Sequence, residues 1–481
     1  MDPRVTRLQS ITRRHFLQSS GLGLGAVAFA GVQGNKLHAS EDLSLAAKPP
    51  MFPAKAKRVI YLHMAGSPPQ HELFDWKPKL VEHHMQECPA ALLANQRFAF
   101  IKGTPKLLGT PYKFAQRGES GSWMSEILPH LTEVVDDISF LKAMSTDQFN
   151  HAPAELLLFS GAARFGNPGM GSWVTYGLGS ENENLPAYVV MVTGGSDPSA
   201  GKALWSSGFL PSVYQGVQCR SGAEPILYVS DPKGMSRDTR RRSLDAIQAI
   251  NEREHELYAD PETKTRISQY ELAYRMQVSV PDVMSLAGED AGTLAMYGAE
   301  PGKASFANNC LLARRLVERG VRFVQLFDWG WDMHGTSKDN DIVHGLPAKV
   351  KEIDQPIAAL LKDLKRRGML DETLVVWSGE FGRTSMNEAR GGSPWLGRDH
   401  HPHCFTVWMA GGGVKPGVSY GATDELGYFP AENKTTVRDL QATMLHLLGL
   451  DPHHFHYRYQ GLRQRLIGPT DEGRVIKEIV A

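Results

Sequence analysis

The sequence contains few cysteines and no cysteine motif. Only four occur in 481 residues, far apart and without a CxxC pair: Cys88, Cys219, Cys310 and Cys404. This spacing excludes a zinc knuckle and a disulfide-dense scaffold. One or two disulfides stay possible in an exported protein, but the sequence alone does not pair the cysteines.

The chain also lacks an excess of charge of either sign. Lysine plus arginine and aspartate plus glutamate number 52 each, so the chain has no general attraction to nucleic acid or to anionic membrane. No run in the mature chain is long and apolar enough to cross a bilayer. The sequence therefore predicts neither nucleic-acid binding nor a stable membrane span.

The N-terminus carries the parts of a twin-arginine export signal. Arg13-Arg14 precedes a short, weakly hydrophobic run, Leu17–Ala30, which closes with the small-x-small sequence Ala28-Phe29-Ala30. Paired arginines, a short apolar segment and such a site are typical of this signal. We expect residues 1–45 to be signal and linker and residues 46–481 to form a single domain. The protein would then be periplasmic or extracellular, with the twin-arginine machinery as a partner.

Strands alternate with helices along the mature chain. The clearest strands are Val321–Phe327, Thr373–Trp377 and Phe405–Met409, and a helical pattern from Val350 to Leu364 separates the first two. This alternation predicts right-handed crossovers and a mostly parallel sheet in one large α/β domain. Two further strands and a helix are predicted at Arg58–Met64, Ile138–Leu141 and Trp123–Val134.

Polar clusters stand beside these strands. Asp332 and His334 follow the first strand in a glycine-flanked loop, and Glu380 and Arg383 follow the second. In parallel sheets the groups that do chemistry collect beyond the carboxyl ends of the strands. The third cluster comes just before the last strand and contains Asp399, His400, His401 and His403.

Carboxylate and imidazole groups in such loops can converge on one divalent cation. Asp332 and His334 are the first candidate ligands, and Glu380, His400 and His403 are further ones. Arg383 could hold an anionic substrate oxygen in a bidentate fork. The alternatives are a capping aspartate beside an unrelated histidine, an ordinary Glu–Arg pair in a turn, and a polar loop.

A possible nucleophile stands between the strand Ile138–Leu141 and a helix predicted to start just after Asn150-His151. Thr146 or Asp147 could attack a phosphorus or sulfur centre, with Asn150 and His151 binding its oxygens at the positive end of the helix. Plain helix capping by Asp147 or Asn150 is the alternative.

These pieces, in this order, resemble the bacterial domain-of-unknown-function family 1501, within the alkaline phosphatase and sulfatase superfamily. The resemblance covers nearly all of the mature chain. It implies an alkaline-phosphatase-like three-layer sandwich with a mostly parallel central sheet. The motifs that carry it are Asn150–Ala154, Met170–Gly179, Gly208–Gly216, Trp331–Gly335, Gly379–Thr384 and Gly397–Pro402.

The superfamily resemblance also implies a mechanism. Its members typically hold one or two divalent metals with Asp and His side chains, and a Ser, Thr or modified Cys at a helix start attacks the ester. By resemblance, Asp332 and His334 match one metal-binding pair, and His400, or else His403, matches a later histidine. The expected cofactor is therefore a divalent metal (Zn, Ca or Mg), and the expected substrate is a small-molecule or glycan ester.

Two departures from the superfamily pattern leave the function open. The usual Asp-His reads Glu380-Phe381 here, and the first strand ends in His63–Gly66, where a metal-binding aspartate would be expected. The leading hypothesis is an exported metal-dependent hydrolase of phosphate or sulfate esters. The rival is a catalytically degenerate domain that binds glycans or partner proteins at the cell surface, and an isomerase or transferase is a third possibility.

Overall fold

A computed structural model describes residues 45–94, 96–220, 225–226, 231, 234–258, 261–468 and 473–481. Residues Ser44–Ala481 form one compact unit. The predicted twin-arginine signal lies outside the described residues. Among the helices that are described, none combines the length and the apolar character needed to cross a bilayer.

The strands and helices follow one another in the order expected of an α/β protein. The described strands are β1 (Arg58–Ala65), β2 (Lys106–Leu107), β3 (Phe114–Arg117), β4 (Ser122–Ser125), β5 (Ile138–Ser145), β6 (Tyr188–Thr193), β7 (Val217–Gln218), β8 (Phe323–Trp329), β9 (Thr373–Ser378), β10 (Gly382–Arg383), β11 (Met386–Asn387), β12 (His400–His401), β13 (Phe405–Ala410), β14 (Ser419–Tyr420), β15 (Ala422–Thr423), β16 (Pro430–Glu432), β17 (Thr435–Thr436), β18 (Tyr457–Tyr459) and β19 (Leu462–Gln464). The α-helices are α1 (Gln70–Leu73), α2 (Pro78–Glu82), α3 (Ala90–Leu93), α4 (His151–Ser160), α5 (Met170–Leu178), α6 (Arg237–Tyr258), α7 (Pro261–Met284), α8 (Ala291–Tyr297), α9 (Phe306–Glu318), α10 (Gly345–Arg366) and α11 (Val437–Leu447). Short 3-10 helices are Leu131–Asp137, Gly201–Trp205, Ser212–Tyr214, Lys338–Asn340, Leu370–Glu372, Arg390–Gly392 and Lys477–Ile479.

A nine-stranded central sheet organises these elements. Its order is β14–β5–β13–β9–β1–β8–β6–β7, and β17 also pairs with β5. Every pairing is parallel except those of β13, which runs antiparallel to both β5 and β9. The mostly parallel sheet predicted from the sequence is therefore confirmed, and its predicted third strand, β13, runs opposite to the rest.

The reversed direction of β13 positions the candidate site. A loop that precedes an antiparallel strand lies at the same sheet edge as the carboxyl ends of the parallel strands. His400, which comes before β13, therefore lies at the edge where Asp332 follows β8 and Glu380 follows β9.

Helices cover both faces of the sheet and give the domain three layers. In β1, Ile60 and Leu62 belong to one apolar core, and Val59 and Tyr61 belong to the other, as the alternation of side chains along a strand requires. Residues of α7, α9 and α10 complete the first core. Residues of α4, α5 and α11 complete the second. The expected three-layer α/β fold class is confirmed.

The helix predicted at Trp123–Val134 is wrong. Its first residues form β4, which pairs with β3 in an antiparallel hairpin, and a 3-10 helix begins only at Leu131. Pro129 stands in the middle of the predicted helix. It has no amide proton to donate and disfavours helical geometry at the preceding residue.

The cysteines form no disulfide, and each of the four is free and buried. Burial raises the pKa of the Cys310 and Cys404 thiols well above the ordinary value, with nearby negative charges adding to the effect at both. These side chains therefore act as small apolar groups in the core.

Candidate metal centre

Three histidines meet one carboxylate oxygen at this edge of the sheet. The Nε2 atom of His334 lies 2.8 Å from Oδ1 of Asp332, that of His400 lies 3.2 Å from it, and that of His151 lies 3.4 Å from it. The three rings come from the loop after β8, from β12 and from the first turn of α4. Sequence reasoning selected Asp332, His334 and His400 as metal ligands, but it gave His151 the task of binding substrate oxygens.

The other ring nitrogen, Nδ1, is hydrogen-bonded in each of the three histidines. A backbone carbonyl can only accept, so the ring bonded to one must carry its proton on Nδ1. Carboxylate partners favour the same tautomer and fix the ring orientation. The Nδ1 partners are the backbone oxygen of Phe149 for His400 at 2.7 Å, Oε1 of Glu380 for His151 at 2.5 Å, and Oε2 of Glu388 for His334.

When the rings are neutral, this pattern leaves the inward-facing nitrogens without protons. A neutral imidazole protonated on Nδ1 presents a lone pair at Nε2, and here three such lone pairs face a negative oxygen. The Nε2 atom of His151 is buried and has no hydrogen-bond partner. A cation between the rings and Asp332 removes the repulsion, so these four residues fit a divalent metal.

The pKa values of Asp332, His400 and His151 reflect the close packing of these charges. Burial alone would raise the pKa of Asp332, but Arg383 and the bonded histidines hold it well below its usual range. Burial, with the charges of Arg383 and His151, lowers the pKa of His400 to about 4. Burial would lower the pKa of His151, but the nearby carboxylates of Asp332 and Glu380 raise that pKa to about 9. A bound metal ion would take the place of the proton that His151 otherwise attracts.

Arg383 supports the centre from inside the protein. Its side chain is fully buried, and it donates to the backbone oxygens of Ser67 at 3.0 Å and Arg398 at 3.1 Å. It also donates to the backbone oxygen of Gly66 and to Oδ1 of Asp332. In this structure the guanidinium is therefore engaged by protein oxygens, whereas the sequence predicted a bidentate contact with a substrate oxygen. The guanidinium fixes Asp332 and ties neighbouring loops together.

A second group, fully buried, lies behind His151. Besides its bond to His151, Glu380 accepts from the backbone amide of Gly66 at 3.0 Å, and its Oε2 lies 3.3 Å from Nε2 of His63. Ligand atoms of His63, Glu155 and Glu380 all lie within 4.8 Å of one another. Burial and the charge of Glu380 raise the pKa of Glu155 to about 8, although the backbone amides of Ser199 and Ala200 donate to its two oxygens.

Sequence reasoning missed three residues of this network. Glu155 lies four residues after His151, so the two share a face of α4, and this helical spacing was a usable signal. His63 was noticed only as a departure from the superfamily pattern, although it lies near the carboxyl end of the central strand β1. Glu388 comes from the loop after β11 and reaches His334 only through the tertiary fold.

The remaining predicted site residues have other surroundings. The ring of His403 lies against His401 and Phe429, with centroid distances of 5.2 and 5.8 Å. Among the described residues, the groups that could share an ion do not include His403. The structure therefore favours His400 over His403 as the ligand from this loop.

The nucleophile candidates lie on the loop next to His400. Thr146 is buried, its amide donates to the backbone oxygen of Pro402 at 2.8 Å, and its hydroxyl accepts from the amide of Gln148 at 3.3 Å. Asp147 is exposed and accepts from the Gln148 side chain. Asn150 is the exposed N-cap of α4 and makes no side-chain capping bond. The structure records no contact between Thr146 or Asp147 and Asp332.

The geometry thus defines an α/β protein with a candidate metal centre at the strand ends. The chain matches the model of the family described as "Protein of unknown function (DUF1501)" over residues 56–480, and it belongs to that family. No curated protein matches the chain.

Several solved structures show a distant likeness. PsFucS1 sulfatase from Pseudoalteromonas sp. is 12% identical with a TM-score of 0.36, over 87% of this chain and 73% of that chain. An alkaline phosphatase superfamily protein from Vibrio parahaemolyticus is 11% identical with a TM-score of 0.37, over 90% and 73%. TAB5 alkaline phosphatase, as a mutant with Mg bound, is 10% identical with a TM-score of 0.35, over 83% and 99%. A likeness this distant carries no conclusion about chemistry.

Two of the ligand loops pack backbone against backbone. A Cβ atom on Gly397 would lie 2.0 Å from the carbonyl carbon of His334 and 2.2 Å from the amide nitrogen of Gly335. The amide of Arg398 donates to the backbone oxygen of Met333 at 3.0 Å. A glycine at position 397 therefore lets the His400 loop approach the loop that carries Asp332.

Replacing Gly397 with Ala should force these loops apart and lower the free energy of unfolding by about 1–3 kcal/mol, as overpacking does. Gly288 is a matched control, because a Cβ there meets nothing within 4 Å. Gly288→Ala should change stability by less than about 0.5 kcal/mol. Urea unfolding followed by circular dichroism measures both, and equal effects would contradict the close approach.

Proposed function

We propose that the chain is a divalent-metal-dependent hydrolase of phosphate or sulfate esters. The observation that carries this proposal is the set of three imidazole nitrogens directed at Oδ1 of Asp332. Three nitrogens and one carboxylate oxygen suit zinc, whereas magnesium and calcium prefer oxygen ligands. Of the three metals considered from the sequence, the donor set favours zinc.

The residues around the centre are arranged for such chemistry. A divalent ion, when bound, polarises an ester oxygen and stabilises negative charge in the transition state. Glu380, Glu388 and the carbonyl of Phe149 hold the three rings in fixed orientations. The Asp332 side chain is 29% exposed, whereas no ring exceeds 15%. The centre therefore opens to solvent on the Asp332 side, where a substrate can approach.

We propose Thr146 as the nucleophile, with Asp147 as the second candidate. Two contacts support this choice, because they join the loop of Thr146 to the loop of His400. His400 donates to the backbone oxygen of Phe149, and the amide of Thr146 donates to the backbone oxygen of Pro402. Asn150 is exposed beside His151, where it could bind an ester oxygen.

A second function is favoured by one specific contact. The Arg383 guanidinium bonds the same oxygen of Asp332 that faces the three histidines. A permanent positive charge at this oxygen stabilises the carboxylate without any metal. This contact, with Glu380-Phe381 in place of the superfamily's Asp-His, supports the rival proposal of a degenerate domain that binds glycans or partner proteins.

Metal content tests the centre directly. Purified full-length protein should contain about one divalent ion per chain, the number that four ligands of this kind hold, and Asp332→Ala/His334→Ala should contain none. A matched control exists on the surface, where Asp451 and His454 also form a pair at 2.9 Å. Asp451→Ala/His454→Ala should keep the metal. Elemental analysis gives the numbers, and unchanged metal in the first variant would remove the proposed site.

A measurement of turnover distinguishes the proposed hydrolase from the rival proposal of a degenerate binding domain. Zinc-loaded protein should hydrolyse nitrophenyl phosphate or nitrophenyl sulfate, lose the activity in a chelator and regain it when zinc is restored. The reason is that a bound ion stabilises transition-state charge that Asp332 and the rings alone do not. Wild-type protein that contains no metal and cleaves neither ester would favour the degenerate binding domain.

We also propose that the protein acts in the periplasm or outside the cell after twin-arginine export. Arg13→Lys/Arg14→Lys should keep the protein in the cytoplasm of an expressing bacterium, because the pathway depends on the paired arginines. Arg4→Lys/Arg7→Lys, a matched change at unpaired arginines, should leave export intact. Cell fractionation and immunoblotting measure the distribution, and normal export of both variants would contradict the proposed route.

A further inference from the structure

A cavity of about 390 Å³ adjoins the candidate metal centre. One of its walls is formed by residues between positions 100 and 106. This wall is fastened to the loop of His400, because Oδ2 of the preceding Asp399 accepts the backbone amides of Phe100 at 2.7 Å and Ile101 at 2.9 Å. The position of the wall is therefore coupled to that of a candidate ligand.

The opposite wall is formed by residues 387–391 and is fastened to His334. Oε2 of Glu388 bonds Nδ1 of His334, and Oε1 accepts from Nε of Arg390. Both oxygens of this carboxylate are therefore occupied. One terminal nitrogen of Arg390, Nη2, is buried and has no hydrogen-bond partner.

A single aromatic ring separates this guanidinium from the histidines. The guanidinium carbon of Arg390 lies 3.5 Å from the centroid of the Phe100 ring. The same ring meets His334 edge to face at 5.1 Å and His400 at 5.6 Å. Phe100 is 40% exposed, so a ligand can extend across it from the centre into the cavity.

The charge of the cavity is positive. Lys102 and Lys106 line it and are exposed, and neither forms an ion pair with any residue that the structure describes. Together with Arg390 they give three cations, against one carboxylate, Glu388, that is already paired. Lysine and arginine at such a site bind sulfate, phosphate or carboxylate groups through charge-assisted hydrogen bonds.

We propose that this cavity binds a second anionic group of the substrate while the ester to be cleaved lies at Asp332. The inference rests on the proposed hydrolase function and names its substrate class. The substrates would be small molecules or glycans that carry at least two anionic groups, placed on either side of Phe100. The cavity would then select such molecules over esters with a single charge.

Binding to analogues that contain no ester bond tests the inference without turnover. Glucose phosphonates and glucose sulfonates with one or two anionic groups would be titrated calorimetrically into zinc-loaded, full-length protein. The dianionic member of each pair should bind about tenfold more tightly, as one further charge-assisted contact allows. Comparison of the two pairs identifies which anion the cavity prefers.

Substitution of the cavity lysines tests whether the preference for the dianionic analogue arises in this cavity. Lys102→Ala/Lys106→Ala should reduce the preference for the dianion to about twofold or less, because the remaining cation is largely engaged by Glu388. Lys202→Ala/Lys351→Ala removes two exposed lysines elsewhere and should keep the full preference. Arg390 is left unchanged, since it holds the carboxylate that orients His334.

The outcomes also separate this inference from the proposed function. Equal affinity for the one- and two-charge analogues, including no binding of either, overturns the inference, and so does a preference that survives the loss of both lysines. Cleavage of nitrophenyl esters without any dianion preference contradicts the inference about the cavity but supports the hydrolase proposal. A lysine-dependent preference for the dianion in a protein that cleaves no ester supports anion binding in the cavity and contradicts the hydrolase proposal.

Discussion

The candidate site depends on one atom, Oδ1 of Asp332. Three imidazole nitrogens and the guanidinium of Arg383 all approach this oxygen. A single oxygen can hold so many neighbours only if protons or a cation bring positive charge between them. When the rings are neutral, their outer bonds direct the ring protons away from Asp332, and a carbonyl partner fixes this tautomer for His400. Arg383 and a proton on His151 supply part of this charge, and the metal ion that we propose would supply it for all three rings.

The fold brings these groups together by reversing one strand. Because β13 runs against its neighbours, the loop before it meets the loops that follow β8 and β9. A buried pair then holds this loop in place, since Arg398 lies 2.5 Å from Glu72 and both side chains are fully buried. Removing one partner of such a pair typically costs about 3–5 kcal/mol. The ligand geometry therefore rests on the same contacts that stabilise the loops.

The sequence predicts the fold well and the site only in part. Alternating strands and helices are local patterns, so the sheet and the strand-end positions of Asp332 and Glu380 could be predicted. The direction of a side chain is set by distant contacts, which explains why the buried position of the Arg383 guanidinium was not predicted. Nothing local shows that its guanidinium turns inward to backbone oxygens of the β1 loop. The choice between His400 and His403 likewise required the tertiary structure.

The surroundings of Phe381 and His63 show what these two departures from the superfamily pattern do in the structure. Phe381, where the superfamily resemblance implies a histidine, packs its ring 5.0 Å from that of His151 and 4.6 Å from that of His400. It therefore fills space beside the ligands instead of adding one. His63 and Glu380 are fully buried and face each other, so a cation held between them would have no access to a substrate. The ester chemistry that we propose therefore depends on the centre at Asp332, whose side chain is more exposed than the three histidine rings around it.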